Sequence, residues 1–158
     1  MRADMARAHL ALADISERLS RIEEMRKHAD AGLSIRRELV SADPDNVELL
    51  EALSIGLVRR GDVEGHTKDL VAQQRLYQEA LGIDQRLVRQ NPDVVRYRDN
   101  LTWSYERLGA LARRQQRFDD ARCLHEQQVA SARSLIDAEP GNPLRSYALF
   151  SAYSSLGE

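Results

Sequence analysis

With 158 residues, 30% charged and 42% hydrophobic, the chain carries enough apolar material for one domain with a sizeable core, which excludes a disordered tail. A net charge of −2 gives no basic face for non-specific nucleic-acid binding, and 5% aromatic residues form no stacking ladder for single strands. The single cysteine, Cys123, excludes an internal disulfide and a thiolate metal cluster.

Residues 2–19 read as a first helix with apolar Met5, Leu12 and Ile15. Ser20-x-x-Glu23 has the spacing of a capping box and is expected to open the second helix. That helix carries Ile22, Met25, Ala29, Leu33, Leu39 and Val40 at helical spacing up to Asp43-Pro44. Proline cannot continue a helix, and it pushes the residue before it out of the helical region. Asn46 is expected to cap a third helix that runs through Leu50, Leu53 and Leu57 towards Gly61. Gly65-His66-Thr67 reads as the next turn, with Thr67 as the cap of a fourth helix. The fourth presents Leu70, Tyr77, Leu81, Leu87 and Val88 and ends at Asn91-Pro92. Val94, Tyr97, Leu101, Tyr105, Leu108 and Ala112 stripe a fifth. Phe118, Ala121, Leu124, Val129, Leu135 and Ile136 stripe a sixth, up to Pro140. Asn142-Pro143 then reads as the cap and first position of a seventh. No segment alternates with period two as a strand would, so the expected fold is all-α.

These helices repeat. Pro44, Pro92 and Pro140 are evenly spaced (92 − 44 = 48 and 140 − 92 = 48). Ala13, Gly61, Gly109 and Gly157 keep that interval, as do Met5, Leu53, Leu101 and Leu149. One unit is written about three times, in a single repeat domain 1–158 with units of about 1–44, 45–92 and 93–140 and a partial unit 141–158. A period of this size implies a solenoid whose units bury their apolar faces by stacking. Glycine inside a helix costs about 1 kcal/mol against alanine. Its periodic return therefore marks a place where each first helix crosses its second closely.

Tyr105-x2-Leu108-Gly109-x2-Ala112, followed by Ala121-x3-His125, resembles the tetratricopeptide repeat family, with Tyr in the Trp place and His in the aromatic slot. The second unit offers Leu57, Arg60, Gly61, Glu64, Gln73 and Tyr77, the fourth Tyr153, Leu156 and Gly157, and the first His9, Leu12 and Ala13. The family repeat is about 34 residues. The longer period here adds about two turns to each helix of the hairpin and is similar to long-repeat variants of bacterial chains. The resemblance implies a right-handed superhelix of antiparallel helical hairpins, about seven helices in all.

Catalysis finds no residues. His9, His28, His66 and His125 are scattered, and His9 and His125 fall in core aromatic slots. Glu23-Glu24 and Asp119-Asp120 sit in first turns, where carboxylates complement the helix dipole. No nucleotide-binding or metalloprotease motif occurs, so no catalytic residue, cofactor or metal is expected.

What remains is the helix face opposite the core stripe. At 100° per residue, Trp103 lies about 200° from Leu101. Arg96, Asp99, Glu106, Ala110 and Arg114 lie within roughly a quarter-turn of Trp103. The resemblance implies that this face of each first helix lines a concave groove that takes peptides. It would be an apolar strip of Leu10, Ile55, Val58 and Trp103. Carboxylates Asp14, Glu51, Asp62, Asp99 and Glu106 border the strip, and Arg96, Arg107 and Arg114 lie towards the later repeat. Asp62 and Trp103 are expected to lie away from the core. The alternative, that Trp103 and Ile55 pack between repeats, stays open at this stage.

The function expected is a non-catalytic scaffold for a protein or peptide partner with an apolar anchor and at least one Arg or Lys. Nucleic acid and membrane are not expected partners. No apolar run approaches a membrane span, and Met1-Arg-Ala-Asp lacks the apolar stretch of a signal peptide, which points to the cytoplasm. A second reading is a structural or oligomerising segment of a larger chain. Met5 and Leu12 at one end and Leu149, Tyr153 and Leu156 at the other would then join a homodimer.

Overall fold

The computed structural model describes residues 1–157, which form seven α-helices and, among the described residues, no strand. These are α1 (Arg2–Arg18), α2 (Ile22–Ala42), α3 (Val47–Thr67), α4 (Leu70–Gln90), α5 (Val95–Arg114), α6 (Phe118–Ala138) and α7 (Pro143–Gly157). The chain divides into two compact units, Met1–Ile83 and Asp84–Glu158, with the division inside α4.

The expected interval of 48 returns in the backbone. Among the described residues, Ser20, Lys68 and Gln116 are the non-glycine residues with positive φ, at 56°, 63° and 59°, and they are spaced 68 − 20 = 48 and 116 − 68 = 48. Each sits in the turn after the first-type helix of a repeat, α1, α3 or α5, and before its second-type helix, α2, α4 or α6. The amide of the following residue reaches back five positions, Arg21 to the Ser16 carbonyl, Asp69 to Glu64 and Arg117 to Ala112, at 2.8, 3.1 and 2.9 Å. This is the Schellman closure, which satisfies carbonyls left over at a helix end. Ser20 therefore ends α1 rather than capping α2, whose N-cap is Arg21 with no side-chain bond. Thr67 likewise belongs to α3, and Asp69 caps α4 by accepting from the Ala72 amide at 2.9 Å.

The turns between repeats follow the proline interval. Asp43 and Glu139, each just before a proline, leave the helical region at φ −144° and −133°. Asn46 Oδ1 accepts from the Glu48 and Leu49 amides at 3.2 Å each, and Asn142 Oδ1 from the Leu144 amide at 3.1 Å. Val94 takes the same position before α5 without a side-chain bond.

In the first unit, Leu33, Leu53, Leu57, Leu76 and Ala80 form one core cluster, with Val40, Val58 and Ile83 packed against it. Ala13, Met25, Ala29 and Val63 form another. In the second unit Val129, Ala132 and Ala152 cluster, with Leu149 and Leu156 against them. Phe118 of the expected sixth stripe lies outside the core, 65% exposed at the first position of α6. Met5, Leu12 and Ile15 are also exposed, because α1 buries Ala6, Ala13 and Ser16 instead.

Close crossings occur at Gly61 and Gly109 of the periodic small residues, whereas a Cβ on Gly157 would meet open space. A Cβ on Gly61 would meet Cδ1 of buried Tyr77 at 2.7 Å, and one on Gly109 would meet Nδ1 of buried His125 at 2.8 Å. Real side chains do not approach so closely, so the aromatic ring occupies the place of the missing methyl. The first repeat, residues 1–44, has Ala13 and Ala29 at the corresponding positions, in one cluster.

A second set of matched pairs joins each second-type helix to the first-type helix that follows. Arg36 lies across Gly56, where a Cβ would be 2.9 Å from Arg36 Cδ. Ser104 Oγ donates to Asp84 at 2.6 Å, with both residues buried. Ala132 and Ala152 share a cluster.

Candidate functional site

Asp99, Thr102, Trp103 and Glu106 are spaced to share one face of α5. In the second unit that face is one wall of a hollow of about 380 Å³. Leu144, Arg145, Tyr147, Ala148 and Ser151 of α7 form the other wall, and Gln128 and Leu135 of α6 also line it. Trp103 is 57% exposed, and Leu144 and Tyr147 more so. The mouth is therefore apolar and open, a combination that on soluble surfaces marks a contact.

The charges divide into a tied set and a free one. Arg145 pairs with Asp99 and, through Nε at 2.8 Å, with Glu139. The Glu139 carboxyl is held below the usual carboxylate range, first by the hydrogen bond from Arg145 and then by that from Asn142. Burial works against the Arg145 charge, but its bonds to Glu139 and Asp99 raise its pKa nonetheless. Half-buried Glu106 meets no cation among the described residues, although it lies beside Trp103 in the lining. The hollow thus offers an open indole and an available carboxylate.

Of the residues expected from sequence, Asp99, Trp103 and Glu106 come together here. Arg96, Arg107 and Arg114 lie on the same helix but do not line the hollow, and Arg96 stacks its guanidinium 5.1 Å from the Tyr97 ring centre. In the first unit, Leu10 is half-buried, and Asp14 faces Arg59 Nε at 4.0 Å. Ile55 is exposed, whereas Val58 packs on the core. Asp62 is tied to the core, because it accepts from the hydroxyl of buried Tyr77 at 2.6 Å. Its expected place away from the core is thereby corrected.

Sequence reasoning confined to one helix face missed Gln128, Leu135 and the α7 wall. The period itself held the signal. Asp99, Thr102, Trp103, Leu135, Leu144, Arg145 and Ala148 stand 96 residues, or 2 × 48, after Ala3, Ala6, Arg7, Leu39, Glu48, Leu49 and Ala52. Those earlier residues line a hollow of the first unit.

The histidines are not all scattered as expected, because His9 and His28 come together. His125 is buried with Nδ1 3.0 Å from Gln128 Oε1, and the Nδ1 atoms of His9 and His28 are 3.1 Å apart. His66 meets Glu17 at the surface. Among the described residues no group of three or more His, Cys, Asp or Glu could hold a metal ion, and no helix is long and apolar enough to cross a membrane. No protein-family model matches the chain, and no curated protein sequence matches it.

Proposed function

We propose that the chain is a non-catalytic protein-interaction module of the tetratricopeptide-repeat kind, a solenoid of helical hairpins whose first-type helices bind a peptide or helix. The observation that carries this reading is Trp103, more than half exposed at the mouth of a hollow, with the unengaged Glu106 carboxylate beside it. Trp103 stands with exposed Leu144 and Tyr147, a contiguous apolar patch of the kind that marks a contact, and large aromatics dominate interface energies. The partner that fits presents an apolar anchor to Trp103 and an Arg or Lys to Glu106. Exposed Ile55 supports a similar role for the first unit.

Peptides selected from a displayed library against the wild-type chain test this reading. Trp103→Ala is expected to weaken the selected binders by about 2 kcal/mol, or roughly thirtyfold. The thermal midpoint should move by no more than a degree or two, as for other surface changes. Trp103 is the only tryptophan, so its emission also reports directly on burial by the ligand. Binders unaffected by Trp103→Ala and leaving the emission unchanged would remove the site.

A second reading, self-association, has its own observation in the exposed Leu144, Tyr147 and Phe150 of α7. Sedimentation at high micromolar concentration separates the two. A dimer dispersed by Phe150→Lys would favour self-association.

A further inference from the structure

Arg36 of α2 is 6% exposed, yet its guanidinium makes no hydrogen bond or ion pair with any described residue, and its Nε is enclosed without a partner. Burial without compensation disfavours a charged group, which is why buried charges are ordinarily paired. The fold nevertheless makes room for this one. Its side chain lies against Gly56, and a Cβ on Gly32 would stand 3.2 Å from its Nη1. At the equivalent positions Asp84 is bonded by Ser104, and Ala132 packs with Ala152, so Arg36 is the one member of the set left unsatisfied.

The residue lines the hollow of the first unit, about 170 Å³, which has room for several water molecules. Most of the remaining wall is apolar: Ala3, Ala6, Leu39, Leu49 and Ala52. Two charged residues complete it. Arg7 is already paired with Asp4, and Glu48 is exposed in the first turn of α3. An enclosed cation beside an aliphatic wall suits a single negative charge carrying a short hydrocarbon tail. A second charge on the ligand would meet the Glu48 carboxylate.

We propose that this hollow binds a small organic monocarboxylate, the carboxylate on the Arg36 guanidinium and the aliphatic tail against Ala6, Leu39 and Ala52. The site is independent of the peptide surface at Trp103. A planar guanidinium fork matches a carboxylate in two parallel bonds, and the terminal Nη1 and Nη2, which unlike Nε are not sealed off, are the donors a carboxylate can reach.

The test is a titration followed at the Nε–H resonance of Arg36. Butyrate is expected to shift this resonance saturably in the millimolar range. Butyramide, with the same tail and no charge, should leave it unmoved. Sodium sulfate at matched ionic strength should act at least about tenfold more weakly, since it lacks the tail and carries a second charge. Arg36→Met should lose butyrate binding by about tenfold or more, because a charge-assisted bond is removed. Its thermal midpoint should stay level or rise, because an unpaired buried charge is replaced by an apolar chain. No saturable shift with butyrate, or an equal one with butyramide or sulfate, overturns the proposal. So does undiminished butyrate binding by Arg36→Met, read by calorimetry. If that variant does not fold, the three wild-type titrations decide alone.

Discussion

Alanine at position 61 is expected to destabilise the protein by about 1–3 kcal/mol, although glycine-to-alanine inside a helix ordinarily gains about 1 kcal/mol. The reversal follows from the ring of Tyr77, which fills the space a methyl group would need. Tyr77 is buried, and its hydroxyl both donates to Asp62 at 2.6 Å and accepts from Gln73 at 3.0 Å, so the ring is fixed in place. Removing the ring should restore the ordinary sign. In a Tyr77→Ala background, Gly61→Ala is expected to be stabilising, because the pair then copies Ala13 and Ala29. A double-mutant cycle measured by urea denaturation provides the check. Equal effects of Gly61→Ala in both backgrounds would show that the crossing is not where the packing places it.

The largest single loss should come from Leu57→Ala, at about 2–5 kcal/mol. Leu57 is fully enclosed with Leu33, Leu53, Leu76 and Ala80, which belong to α2, α3 and α4. A void there deprives all three helices of contacts that water cannot replace. Thermal melting of the variant beside Ile55→Ala gives the contrast, since Ile55 is on the same helix but exposed. Ile55→Ala should stay within about 0.5 kcal/mol of the parent, as exposed positions do. Similar losses for the two would contradict the burial pattern of α3.

Much of this could be read from residue order. The proline interval placed the inter-repeat turns, Asn46 and Asn142 their caps, and the recurring glycines two close crossings. The turns inside the hairpins could not be read, because Ser20, Lys68 and Gln116 are ordinary residues forced into a left-handed conformation by the helices on either side. Thr67 looked like a cap for the same reason, since local chemistry named a capable residue while the Schellman closure chose Lys68 and Asp69. At the candidate site, Trp103 and Glu106 were legible from helical geometry, whereas Leu135 and Tyr147 required knowledge of which helices meet. Arg36 was hidden by its type. Arginine reads as a surface residue, and only the glycines packed around it show that the fold encloses it.

The pairs Arg36 with Gly56, Asp84 with Ser104, and Ala132 with Ala152 also act as an address code. The three pairs stand at equivalent positions of the 48-residue interval, yet each reads a different size and chemistry. Transposing the blocks would set the Arg36 side chain on a serine hydroxyl, or strand the Asp84 carboxylate over a glycine. The repeats are alike in length but not interchangeable, and their order along the chain is written at the seams.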